Sequence, residues 1–210
     1  MKPVLHAGAA IAMAYGYNAL HSLKINDWIG SQYGGHLQFL TIQGLAVAWL
    51  TMVVSILEDI LPFAGLRTLK RGLFIVALPV ATIVSSIYWT LLLAFPHLIL
   101  QAMPSEGMET AMVPLPTDIC LHAIPCLSLL ADFFLFERKY GRMSMTTVAP
   151  ILSLLCTAWY GWWVERCASF NGHFPYPFLT MNPFEIRVRI YGGAGIMAYG
   201  TFYALNALHK

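Results

Sequence analysis

The chain has 210 residues, of which 58% are apolar and only 10% charged, with a formal net charge of +2. Soluble domains carry roughly 25% charged residues. A chain with so few cannot keep a wet surface, whereas a bilayer removes that demand because the outer face of a span meets lipid. The small net charge also leaves no electrostatic footprint for nucleic acid.

Six apolar segments follow one another, at about 4–22, 39–61, 73–97, 117–137, 146–165 and 188–208. Each has roughly the 20 residues that a helix needs to cross about 30 Å of hydrocarbon. The expected fold is all-α: a multipass transmembrane helical bundle of about six spans, forming one integral membrane domain over residues 1–210. The first segment has only Lys2 ahead of it and contains His6, Tyr15, Tyr17 and Asn18. That pattern predicts a retained span rather than a signal peptide. The second follows the run Tyr33-Gly34-Gly35-His36-Leu37-Gln38-Phe39-Leu40-Thr41 and closes on Glu58 and Asp59, which reach the interface. The third contains Pro79, and the fourth contains Asp118, His122, Pro125 and Asp132. Between them, 98–116 reads as a loop with an interfacial piece, marked by Met103, Pro104, Met108, Met112, Pro114 and Pro116. The fifth holds Pro150 and three tryptophans, and the sixth follows Tyr176-Pro177-Phe178-Leu179. The four cysteines form no CxxC pair and read as packed thiols.

With six spans, the connections at about 62–72 and 138–145 share a side with both termini. That side holds Lys2, Arg67, Lys70, Arg71, Arg138, Lys139, Arg142 and Lys210, eight of the twelve basic residues. The positive-inside rule then predicts cytosolic termini.

Ionisable groups inside spans are expensive and are candidates for function. His122 lies about five residues into the fourth segment from the non-cytosolic side, roughly 7 Å deep at 1.5 Å per residue. A neutral imidazole there can act as a general base. Asp118, four residues earlier, shares its helical face and can fix the ring tautomer. Thr41 lies at comparable depth near a helix start, where free N–H groups can donate to an oxyanion. Gly34 and Gly35 allow close backbone approach to a ligand. The structural alternatives are a packed histidine, a capping threonine and an ordinary Gly-Gly turn.

Three ordered blocks carry a resemblance. They are Tyr33-Gly34-Gly35 leading to Phe39-Leu40-Thr41, His122 with an acidic residue ten positions on, and Tyr176-Pro177-Phe178-Leu179. Tyr88-Trp89 adds a weaker match. Together they resemble the androgen-induced membrane protein family, which includes the androgen-dependent regulator of tissue-factor pathway inhibitor. The resemblance implies an intramembrane threonine hydrolase that cleaves fatty acid esters of hydroxy fatty acids or similar lipids, without metal or organic cofactor. Thr41 would be the nucleophile and His122 the base. Asp118 and Asp132 would orient or support them, and Gly34, Gly35, Tyr176 and Phe178 would line the substrate site. Asp132 stands where the family often has Glu, and Asp118 where some members have Asn. The lipid substrate would enter from the bilayer, and the endoplasmic reticulum is the expected membrane.

Two other readings stay open at this level. His21, His36, His97, His122 and His173 all fall on the non-cytosolic side, so a His-ligated haem or metal protein is one, although their spacing follows no ligand pattern. A non-catalytic membrane scaffold or small transporter is the other. No G-x-S-x-G elbow, Walker loop or HExxH helix is present.

Overall fold

A computed structural model describes residues 1–100 and 112–209. Its helices are α1 (Lys2–Leu20), α2 (Asn26–Ser31), α3 (Leu40–Ile60), α4 (Ala64–Ala94), α5 (Leu115–His122), α6 (Ile124–Leu135), α7 (Ala149–Asn171), α8 (Pro177–Thr180) and α9 (Phe184–Leu208). No strand occurs among the described residues. The fold is all-helical, and each of the six expected segments contains a long helix or a bent pair. Helix α3, helix α4 and the continuous helix 144–171 are long and apolar enough to cross a membrane, and α5–α6 makes a fourth if the bent pair is one span. Helices α1 and α9 have 19 and 25 residues, but their His, Tyr, Asn, Glu and Arg side chains dilute the apolar signal. Six is therefore an approximate count, and composition alone marks three to four.

The helix ends differ from the apolar windows for physical reasons. Helix α4 begins at Ala64, so Arg67, Lys70 and Arg71 sit on its first turns rather than in a loop. Leu, Arg and Lys are strong helix formers, and a helix continues through them after the apolar stretch has ended. Helix α7 runs six residues past the expected end to Asn171, where Gly172 takes φ 76° and stops it. Of the expected 98–116 loop, residues 101–111 lie outside the described residues; Pro96–Leu98 form a 3-10 turn and α5 starts at Leu115.

The fourth segment is broken at Ala123, with α5 and α6 bent by 42°. Pro125 explains the break: it has no N–H to offer the carbonyl four residues back, and its ring crowds that turn. His122 is thereby the last residue of α5. Gly16 brings this helix against α1, since a Cβ there would lie 2.7 Å from the Cys120 Cβ. Helix α3 packs between α1 and α4, and α9 closes on α7 and α4. Met13, Met52, Phe74, Leu78, Leu129, Phe133 and Phe202 are wholly buried at the centre. The outside is apolar as well: Val4, Ile11, Leu93, Leu154 and Ile196 are all at least 69% exposed. A surface of this kind is stable against hydrocarbon, not water.

Candidate active site

Thr41 occupies the second position of α3. Phe39, extended at φ −85° and ψ 129°, is the N-cap, so Thr41 does not cap the helix. Its side chain is buried, and its Oγ1 lies 3.4 Å from His122 Nε2. That contact is long, as catalytic hydrogen bonds often are before substrate binds. On the other side of the ring, His122 Nδ1 lies 2.7 Å from Asp118 Oδ1, with the Asp118 carbonyl at 3.3 Å. An ionised carboxylate only accepts, so Nδ1 carries the proton and the Nε2 lone pair faces Thr41. Tyr88 stacks flat on the imidazole, with centroids 3.4 Å apart and an interplanar angle of 1°. Its hydroxyl neighbours the Asp118 carboxylate. Asp118 and His122 are both buried. The hydroxyl–imidazole–carboxylate order and its hydrogen bonds follow the logic of a nucleophile, its base and an orienting group.

The start of α3 is less open than the sequence suggests. Ile42 and Gln43 donate their N–H groups to the Phe39 carbonyl at 3.1 and 3.3 Å. Leu40 N–H donates to the Tyr176 hydroxyl at 3.1 Å. Tyr176 comes from the connection between α7 and α9, and its ring packs edge-on against Phe39 and flat on Phe178. Its hydroxyl also neighbours the Thr41 side chain and backbone and the Tyr160 hydroxyl. Tyr160 in turn donates to the Gln38 carbonyl at 3.3 Å.

Two apolar cavities meet at this point. The first, of about 150 Å³, runs between α4, α7 and α9 from Thr41 and Tyr176 to Ala149 and Phe202. On α9 its wall is the stripe Tyr191, Ala194, Gly195, Ala198, Tyr199 and Phe202, spaced as one helical face. The small residues on that stripe leave the volume empty. The second, of about 130 Å³, lies toward α1, α2 and α5 and is lined by Leu20, Ile29, Phe39, Leu121 and His122, with His36 at its wall. Thr41, Tyr88, Ile99 and Tyr176 line both. Burial, and then the neighbouring His21, hold the His36 imidazole below its ordinary pKa, so it stays neutral.

The other residues singled out in the sequence fall elsewhere or partly so. Phe178 lines the first cavity. Gly34 and Gly35 line neither. Gly34 has φ 85°, and a Cβ on it would meet Cys167 Sγ at 2.6 Å, so its bareness serves the turn and the approach to α7 rather than a ligand. Asp132 belongs to a different cluster. Its carboxylate lies 2.9 Å from Lys70 Nζ and 3.2 Å from His6 Nε2, on the α6 side of the break. Lys70 also meets Glu137 at 2.9 Å, and His6 Nδ1 meets Asp59 at 2.7 Å. Asp59, set at the interface by the sequence, thus contacts a fully buried histidine. Of the histidines that left a metal or haem reading open, His21 and His36 are neighbours with ring centroids 5.8 Å apart, while His36 bonds Asn26 and His173 stacks on Trp28. No group of three or more metal-type ligands occurs among the described residues. Tyr88 was visible in the sequence only as part of a resemblance, and Tyr160 not at all. The apolar face Ala149, Leu152, Ser153, Cys156, Thr157 and Tyr160 was the available signal.

Apolar exteriors on long helices, with the polar chemistry drawn inside, define a helical membrane-embedded protein. Comparison with known proteins then gives the family: residues 1–210 match the FAR-17a/AIG1-like protein family model throughout, and the chain belongs to that family. It is 29% identical over 208 residues to a UPF0641 membrane protein of Schizosaccharomyces pombe, covering 98% of this chain and 89% of the relative. It is 31% identical over 184 residues to a UPF0641 membrane protein of Saccharomyces cerevisiae, covering 80% of this chain and 75% of the relative. No solved structure matches.

Proposed function

We propose that this protein is an intramembrane threonine hydrolase of lipid esters, with Thr41 as nucleophile and His122 as general base. The observation that carries the proposal is the hydrogen-bonded order Thr41, His122, Asp118 at the junction of two apolar cavities. An ester has an organic group on each side of its reacting carbon. Two apolar cavities that share the Thr41 wall suit an ester with an acyl chain on both sides, such as a fatty acid ester of a hydroxy fatty acid.

In this mechanism Thr41 Oγ attacks the ester carbonyl while its proton passes to His122 Nε2. Asp118 holds the ring and stabilises the imidazolium through Nδ1–H. The tetrahedral intermediate collapses, the alcohol leaves with the proton from His122, and an acyl-threonine remains. Water then attacks that acyl group, with His122 as base again, and releases the fatty acid. The basic residues around Lys70 favour cytosolic termini, which puts the Thr41 end on the opposite side. A multipass protein with a lipid substrate suits the endoplasmic reticulum membrane.

The test is hydrolysis of a branched fatty-acid ester by detergent-purified wild type, Thr41→Ala and His122→Ala, each eluting as the same monodisperse species. Activity in the wild type and loss of at least ~10³-fold in both variants is the expected result. Full hydrolysis by folded Thr41→Ala sinks the nucleophile assignment, and unaltered cellular activity after loss of both residues favours a scaffold.

A further inference from the structure

We infer that the Tyr176 hydroxyl is the oxyanion donor of this site, held in place by the first N–H of α3. The inference rests on the hydrolase reading above. Its starting point is a vacancy in that mechanism: the backbone N–H groups of Leu40, Ile42 and Gln43 have partners already, and the Thr41 N–H is taken up by the Tyr176 hydroxyl. A donor for the carbonyl oxygen has to come from elsewhere.

Tyr176 has the required placement. Its oxygen accepts the Leu40 N–H at 3.1 Å, it neighbours the Thr41 hydroxyl, and the residue lines both cavities. Accepting a backbone N–H uses a lone pair and leaves the phenolic proton available. It also directs the positive end of the α3 dipole through that oxygen, which strengthens the O–H as a donor. The ring is fixed between Phe39 and Phe178, so little reorganisation is needed at the moment of reaction.

The step balances without any added reactant. Thr41 Oγ bonds to the carbonyl carbon, its proton goes to His122 Nε2, and the carbonyl π pair moves onto the carbonyl oxygen. Thr41 Oγ and that oxygen are then attached to one carbon, so a hydroxyl beside the first is within a small rotation of the second. Tyr176 donates a hydrogen bond to the oxyanion and keeps its proton. On collapse the pair re-forms the carbonyl, the bond between that carbon and the ester oxygen breaks, and the leaving alcohol oxygen takes the proton from His122. Deacylation repeats the sequence with water.

The experiment compares wild type, Thr41→Ala and Tyr176→Phe as full-length purified proteins. Phenylalanine keeps the ring packing and removes only the hydroxyl. Each protein is assayed for kcat and KM on a branched fatty-acid ester. Each is also assayed for binding of two probes: an acyl trifluoromethyl ketone, which forms a tetrahedral adduct, and the matching ether, which cannot. The expected result is a kcat about 10²–10³-fold lower in Tyr176→Phe, with KM within about twofold. Ketone affinity should fall by a similar factor while ether affinity holds. A structural role for Tyr176 would lower ether and ketone binding together, and that outcome overturns the proposal. Retention of kcat within about threefold while Thr41→Ala is inert overturns the Tyr176 role alone. An active Thr41→Ala overturns the hydrolase reading, and this proposal with it.

Discussion

Asp118→Asn is the sharpest probe of the Thr41–His122 pair, because it changes one charge and almost no volume. Asp118 Oδ1 lies 2.7 Å from His122 Nδ1, and Asp118 lines neither cavity. Its effect should therefore fall on kcat and leave KM nearly alone. If the asparagine turns its oxygen to Nδ1–H, a neutral acceptor replaces a charged one. A hydrogen bond to a charged group is worth about 1.5–3 kcal/mol and a neutral one about 0.5–1.5, so the imidazolium loses about 1–2 kcal/mol. That difference is a ~5- to 30-fold drop in rate. If the amide instead presents its NH2, Nδ1 must accept, the proton moves to Nε2, and the ring no longer has a lone pair for Thr41. The loss then approaches the ~10⁴-fold seen when a triad carboxylate is replaced in this way. The assay is steady-state hydrolysis of a branched ester, with the thermal unfolding midpoint measured in parallel to exclude misfolding. Asp118→Leu removes the side-chain acceptor and leaves Nδ1 only the backbone carbonyl at 3.3 Å, so kcat should fall below that of an asparagine that still accepts. A folded Asp118→Asn with unchanged kcat, beside an inert Thr41→Ala, would refute the claim that Asp118 sets the tautomer.

Two further outcomes test the surroundings of the site. Lys70→Met removes the cation between Asp132 and Glu137, leaving the buried Asp132 only His6 and Glu137 only Arg71 as partners. It should cost about 3–5 kcal/mol of stability, read as a lower unfolding midpoint in detergent, and Lys70→Met with Asp132→Asn should recover part of it. Ala198→Phe places a ring in the first cavity, about 10 Å along α9 from Tyr191 at 1.5 Å per residue. It should lower kcat/KM for long acyl chains by at least ~10-fold while sparing short ones; equal loss at every chain length would mean that this cavity does not hold the acyl group.

The sequence carried the helices well and their ends poorly. An apolar window reports what lipid will accept, so it located α3 almost to the residue and missed the first turns of α4, where Arg67, Lys70 and Arg71 are helical but polar. The same window understates spans when polar groups are buried inside: α1 packs His6 away from its surroundings, and only packing reveals this. Asp118 and His122 were legible as a pair because four residues is one helical turn. Asp132 was assigned to their support by the family resemblance alone, but the break at Ala123 and the approach of Lys70 from α4 place it with the cations instead. No periodicity in α6 contains that information. Gly34 was read toward a ligand when its neighbour is Cys167, 133 positions away in the chain.

The site itself explains why so little of it shows in any one stretch of chain. Thr41 comes from α3, His122 and Asp118 from α5, and Tyr176 from the connection before α9. That connection has its own clamp. Arg187 forks onto Glu165 at 2.7 and 2.8 Å, reaches the Asn182 carbonyl at 2.7 Å, and lies 4.4 Å from the Phe174 ring. Tyr191 adds a 2.9 Å bond to the same carboxylate. Glu165 and Arg187 looked like ordinary connection charges at the ends of two apolar segments. Folded, they fix the α7–α9 hairpin whose loop delivers Tyr176 to Leu40. The short Tyr176-Pro177-Phe178-Leu179 block thus draws its meaning from α3. Tyr176 meets the helix start, Pro177 begins α8, and Phe178 and the buried Leu179 join Tyr176 in lining the first cavity. The block is a short connection in the chain and becomes a wall of the site only when α3, α7 and α9 are assembled around it.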